Sequence, residues 1–169
     1  HKSSCHIGPH NAFNDDHPRD KDGKFIDKAH HAKGTGGVTH TVKLGRLKVR
    51  YSSHKTKCIG GPCLGLKNYK QQDNHSCGFV AALAIARFFK PEVTSKDVLD
   101  ATRPGVNSGV SCSNLRSSLK KLGNKAKYHL KLTGPKLKKY VERGIPVIVS
   151  VWPDQWGSDH WTVVQGFDA

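Results

Sequence analysis

The chain has 169 residues, which allows one compact domain with an appendage and excludes two large domains. Its 28 Lys+Arg against 13 Asp+Glu give a formal net charge of +15, which attracts polyanions at long range; no aromatic-interleaved basic motif of a nucleic-acid reader accompanies the charge. The longest apolar stretch, Phe79 to Phe89, is short and contains Arg87, so no membrane span is expected and the chain reads as soluble. No charged segment leading into an apolar one marks a signal peptide, His1 suggests a trimmed chain, and the compartment stays open.

In chain order, residues 1–56 come first and hold 8 of the 11 histidines, with much Gly, Asp and Lys and few regularly spaced apolar residues. Such a composition buries little and reads as a basic, His-rich arm. Within it, Val38–Leu44 and Leu47–Tyr51 alternate apolar and polar residues around Gly45-Arg46, as a hairpin over 38–51 would. Cys5, His6, His10 and His17, then His30-His31 and Cys58-x4-Cys63, are metal-ligating types without the paired short spacers of a structural zinc site. No metal or other cofactor is therefore expected. Gly60-Gly61-Pro62 makes a turn that could let Cys58 and Cys63 pair as a disulfide. Five cysteines are an odd count, so at least one thiol is expected to stay free if pairing is internal, and Cys112 has no visible partner.

From residue 57 the pattern becomes regular, and 57–169 is expected to form the folded domain. Ser76 can cap a helix through Lys90 that Ala-Ala-Leu-Ala-Ile-Ala propagates and Pro91 stops; apolar nearly all round, it belongs in a core. Thr94 with Asp97 has the form of a capping box for a short helix to Thr102. Ser113 is expected to cap a third helix, Leu115 to Leu122, stopped by Gly123; Thr133 and Pro135 open a fourth that ends at Gly144. Strands are expected over Lys127–Leu132, Ile145–Trp152 and His160–Phe167, so helices come first and an antiparallel sheet after them, an α+β order. Trp152, Trp156 and Trp161 read as core and cleft-wall aromatics.

Cys77 falls in the first turn of the first helix, where the helix N-terminus and a nearby imidazolium would lower the thiol pKa. His160, opening the last strand, is the candidate base. The oxyanion of an acyl-transfer intermediate needs N–H donors, one from the Cys77 backbone and one from a side-chain amide just upstream, Gln71 or Gln72. His75 stands too close in sequence to aim at the thiol and reads as a loop residue.

The run Gln71-Gln72-Asp73-Asn74-His75-Ser76-Cys77-Gly78-Phe79-Val80-Ala81-Ala82-Leu83-Ala84, then Gly144-Ile145-Pro146-Val147-Ile148-Val149, then His160-Trp161-Thr162-Val163-Val164-Gln165-Gly166-Phe167-Asp168, resembles the C39-like branch of papain-like cysteine peptidases. The resemblance covers roughly residues 67–169 and rests on three motifs in order. It implies a papain-like fold, a Cys77–His160 pair, a Gln in the oxyanion hole and hydrolysis of a peptide or protein substrate through a thioester, often after small residues such as Gly-Gly. Gln71 matches the family's six-residue offset. Phe79 stands where the family commonly has Pro or Ala, a change expected to narrow the cleft. The family's acid lies on the strand after the His strand, which is expected past Ala169. Asp168 would sit about 26 Å from His160 along a strand, and Asp159 would face the other side.

A shorter likeness, His17-Pro18-Arg19-Asp20-Lys21-Asp22-Gly23-Lys24-Phe25, is similar to a linker of phage head-assembly proteins and implies a virion-associated setting; the plain reading is a polar Asp/Gly turn. Papain-like folds also host amidases, deamidases and acyltransferases. A peptidase-like docking module without turnover is the rival outside enzymology.

Overall fold

The computed structural model describes residues 37–56, 63–106, 108–151 and 160–167. The His-rich stretch with Cys5, the segment 17–25, Cys58, Trp152, Trp156, Asp159 and Asp168 lie outside the described residues.

The alternating segments form strands β1 (Val38–Leu44) and β2 (Leu47–His54), paired antiparallel from Val38↔Ser53 to Leu44↔Leu47. Gly45 makes the turn at a φ of 57°, a conformation glycine adopts without steric cost. β2 then pairs with a short strand that the sequence pattern did not mark, β3 (Asn68–Gln71), in the order β1-β2-β3. An antiparallel sheet therefore stands before the helices as well as after them. Tyr51 of β2 is buried and lies 5.7 Å from the Tyr69 ring and 5.6 Å from the Phe79 ring, centroid to centroid. The hairpin expected in the arm thus shares its core with the residues after 57, and packing does not break at residue 56.

Helix α1 (Cys77–Phe89) follows β3 directly, and every residue from Gly78 to Ala86 is buried. Burying side chains such as Phe79 and Leu83 contributes about 1.5–3 kcal/mol each. Phe79 is fully buried against Tyr51, so it fills the core between sheet and helix and does not narrow a cleft. Helix α2 (Ser95–Thr102) has the expected capping box: the Asp97 N–H donates to Thr94 Oγ1 at 3.1 Å, and the Thr94 N–H donates to the Asp97 carboxylate at 2.9 Å. Helix α3 (Cys112–Lys121) is capped by Ser111, whose Oγ accepts the Asn114 N–H at 3.3 Å, and not by Ser113. Cys112 is therefore its first residue. Helix α4 spans Gly134–Glu142.

The strand expected over Lys127–Leu132 is irregular chain; Lys127 through Lys131 are exposed and only Leu132 is buried. Alternation without a neighbouring strand to complete the hydrogen bonds does not make a strand. The last elements, β4 (Val147–Val151) and β5 (His160–Val164), pair antiparallel with Val151 opposite His160. Trp161 and Val163 of β5 pack on the core that α1 shares, and the Leu64 N–H donates to the Gln165 carbonyl at 2.7 Å. The architecture is α+β, with α1 packed between the three-stranded sheet and the β4–β5 pair.

Candidate active site

Loop 72–76 delivers the chain from β3 into α1. Asp73 organises it: its Oδ1 accepts the backbone N–H groups of His75 at 3.2 Å and Ser76 at 2.9 Å, and its Oδ2 accepts the N–H of Arg50 in β2 at 3.2 Å. These bonds satisfy donors just ahead of the helix that have no intrahelical partner. Ser76, expected to cap α1, occupies the N-cap position without a side-chain cap bond. Its Oγ is buried and has no hydrogen-bond partner. Asp73 turns its carboxylate back onto the loop, the Asx geometry available to that residue type, and so orders the chain ahead of α1 without capping the helix itself.

The two glutamines separate. Gln71 Nε2 donates to the Asp73 carbonyl at 2.8 Å, which keeps its amide in the turn that leads to Cys77. Gln72 Nε2 reaches Thr39 Oγ1 on β1 at 3.3 Å, on the exposed edge of the sheet. His75 lies in the loop as expected, with Nδ1 3.4 Å from Asp73 Oδ1.

Cys77 is half-buried and carries a free thiol. Burial pushes that thiol above its ordinary value; the nearby backbone N–H groups of Trp161, Gly78 and Cys77 itself oppose the rise, and the Asp73 carboxylate adds to it. The net direction is opposite to the lowered value expected from a helix N-terminus, because desolvation of the sulfur outweighs the N–H donors. The start of α1 packs beside Trp161, the residue that follows His160 on β5, so two segments remote in sequence come together here. The Trp161 indole Nε1 donates to the Val110 carbonyl at 2.7 Å, which anchors β5 at this point. Gly78 makes the approach possible: a Cβ there would meet Val110 Cβ at 2.7 Å and Trp161 Cδ1 at 3.3 Å.

On the far side of Trp161 a cavity of about 680 Å³ opens between α1, α3 and β4, lined among others by Phe89, Cys112, Arg116, Tyr128, Arg143 and Trp161. Cys112, with no partner visible in the sequence, is half-buried in that wall. Cys63 is disulfide-bonded, and its partner lies outside the described residues. Among the described residues no helix is long and apolar enough to cross a membrane. The sequence offered Cys77, His160 and Gln71 as candidates and marked neither Asp73 nor the Trp161 N–H. An Asp three residues before Ser76 was a legible turn signal; a strand N–H near a distant sulfur carried none. No family model matches the chain, and no curated protein or solved structure matches it at a significant level.

Proposed function

We propose that this chain is a papain-like cysteine peptidase in which Cys77 attacks the peptide carbonyl and His160 moves the proton. The observation that supports the reading is the packing of the start of α1, where Cys77 stands, beside Trp161, the residue that follows His160. A thiol held above its ordinary value is protonated near neutral pH, so the base must take the proton as the sulfur attacks. His160 accepts that proton, the new C–S bond makes a tetrahedral oxyanion, and collapse breaks the C–N bond while His160 returns the proton to the leaving amine. Water then hydrolyses the thioester and frees the acid. The oxyanion takes hydrogen bonds from the Cys77 N–H and the Gln71 amide, which has two N–H groups and spends one on the Asp73 carbonyl. Gln72, committed to Thr39, is the weaker candidate.

The raised thiol also favours a second reading, a docking module that retains the peptidase shape without turnover. One experiment separates the two. Wild type, Cys77→Ala and His160→Ala are incubated with a mixed peptide library, and products are followed by mass spectrometry. Cleavage that disappears in both variants, with folded far-ultraviolet spectra, supports the peptidase. Cleavage that persists in Cys77→Ala removes the nucleophile from the mechanism, and an inert wild type leaves the docking module.

A further inference from the structure

Two features ahead of α1 need an explanation that the nucleophile and base do not provide: the residue at the N-cap makes no cap bond, and the oxyanion amide is tied to a main-chain carbonyl. Both lead to one residue. The Asp73 carboxylate is only 15% exposed and divides its oxygens between two elements. Oδ2 holds β2 through the Arg50 N–H at 3.2 Å; Oδ1 holds the helix mouth through the His75 and Ser76 N–H groups at 3.2 and 2.9 Å. The Asp73 carbonyl accepts the Gln71 amide at 2.8 Å.

We propose that Asp73 is the positioning residue of the candidate site, its carboxylate locking loop 72–76 between β2 and α1 so that the Cys77 thiol and the Gln71 amide are held together. The inference rests on the reading of Cys77 as nucleophile and Gln71 as oxyanion donor. Hydrogen bonds from N–H groups to an ionised carboxylate are about twice as strong as neutral ones, which suits a loop that has to hold one conformation. Correct placement matters because a misplacement of about 1 Å can cost about 10²-fold in rate.

The same charge works against the thiolate. After burial, which is the larger cause, the Asp73 carboxylate contributes to the rise of the Cys77 thiol. His75, 3.4 Å from Asp73 Oδ1, and His160, joined to Trp161 on β5, are the other titratable groups at this corner. Asp73 therefore has two effects of opposite sign. Removing the charge should ease thiolate formation, whereas releasing the loop should slow turnover. A carboxylate that merely stabilised the fold would produce neither pattern.

The test uses Asp73→Asn, which keeps one oxygen for the loop N–H groups but removes the charge, and Asp73→Ala, which removes both. Asp97→Asn is the control, since Asp97 caps α2 away from the thiol. Alkylation of Cys77 by iodoacetamide is followed against pH by mass spectrometry, with thermal melting to verify folding and peptide turnover measured alongside. In Asp73→Asn the midpoint of Cys77 alkylation should move to lower pH, and in Asp97→Asn it should stay in place. In Asp73→Ala kcat should fall about 10²-fold with little change in KM, because Asp73 acts through the loop and not on the substrate. A folded Asp73→Asn whose midpoint stays put or rises overturns the proposal, whether or not Asp73→Ala folds. A wild type that cleaves no peptide defeats the peptidase reading instead, and the alkylation midpoint still decides the role of Asp73.

Discussion

The two ends of α1 are built to different standards. At its C-terminal end Arg87 donates through Nε to the Val93 carbonyl at 2.9 Å, through Nη1 to Tyr69 Oη at 3.1 Å and through Nη2 to Ser95 Oγ at 3.4 Å. Its guanidinium also lies 5.8 Å from the centre of the Tyr69 ring, and Tyr51 Oη shares a 2.8 Å hydrogen bond with Ser95 Oγ. The polar groups of this network are joined to one another across β2, β3, α1 and α2. At the N-terminal end a buried hydroxyl has no partner, a thiol is desolvated, and Gly78 is crowded by Val110 and by Trp161 of β5. One apolar helix thus carries a joined polar network where it only has to hold, and an unpartnered buried hydroxyl beside a desolvated thiol where chemistry is proposed. Functional sites commonly depart from local consistency in this way, with the cost met by the surrounding fold.

The sharpest way to use this contrast is to remove a donor from the unsaturated end. Gln71→Ala should lower kcat by about 10²–10³, the loss typical of one oxyanion-hole donor, and Gln72→Ala should do far less. Peptide turnover at saturating substrate checks the ranking; the reverse order would move the role to Gln72 and undo the assignment made from the Asp73 bond. Next in size is Gly78→Ala. The added methyl would press on Val110 and Trp161, so overpacking should cost about 1–3 kcal/mol in denaturant unfolding and disturb the Trp161 N–H at the sulfur. A neutral result would mean that β5 moves away freely, which would weaken the case that its position is fixed against Cys77.

The other end should respond in stability alone. Arg87→Met keeps the apolar stem but takes away donors to Val93, Tyr69 and Ser95, and about 1.5 kcal/mol of unfolding free energy should be lost. The pH dependence of Cys77 alkylation should not change. A shift in that profile would show that the two ends are coupled and that the contrast drawn between them is false.

How much of this was legible depended on how local each cause was. The body of α1, the Thr94–Asp97 box and the Gly45 turn were all readable, because composition, a three-residue spacing and a single glycine determine them. β3 was missed because four residues carry too little pattern; it exists by virtue of β2 beside it. The segment 127–132 failed in the opposite direction, having the pattern without the partner strand. At the candidate site, Cys77 and His160 were proposed from type and motif, whereas the direction of the thiol shift was not legible. That sign depends on how far the sulfur is removed from water, a property of the packed molecule that helix position alone does not reveal.

The smallest expected effect tests that misreading of the helix start directly. Had Ser76 capped α1 as the sequence suggested, Ser76→Ala would cost about 1 kcal/mol, the usual loss for a serine N-cap. Its Oγ is instead fully buried without a hydrogen-bond partner, while Asp73 accepts the N–H of Ser76 itself. A buried hydroxyl in that state retains its desolvation penalty with nothing to offset it. The backbone at this position, φ −96° and ψ 10°, is accessible to alanine. Ser76→Ala should therefore raise the unfolding free energy by up to about 1 kcal/mol, measured by urea unfolding at constant m-value. A loss of similar size would show that the hydroxyl caps the helix in solution after all. The N-terminal end of α1 would then be as well satisfied as the C-terminal end, and the unequal standard of the two ends would have to be explained by the thiol alone.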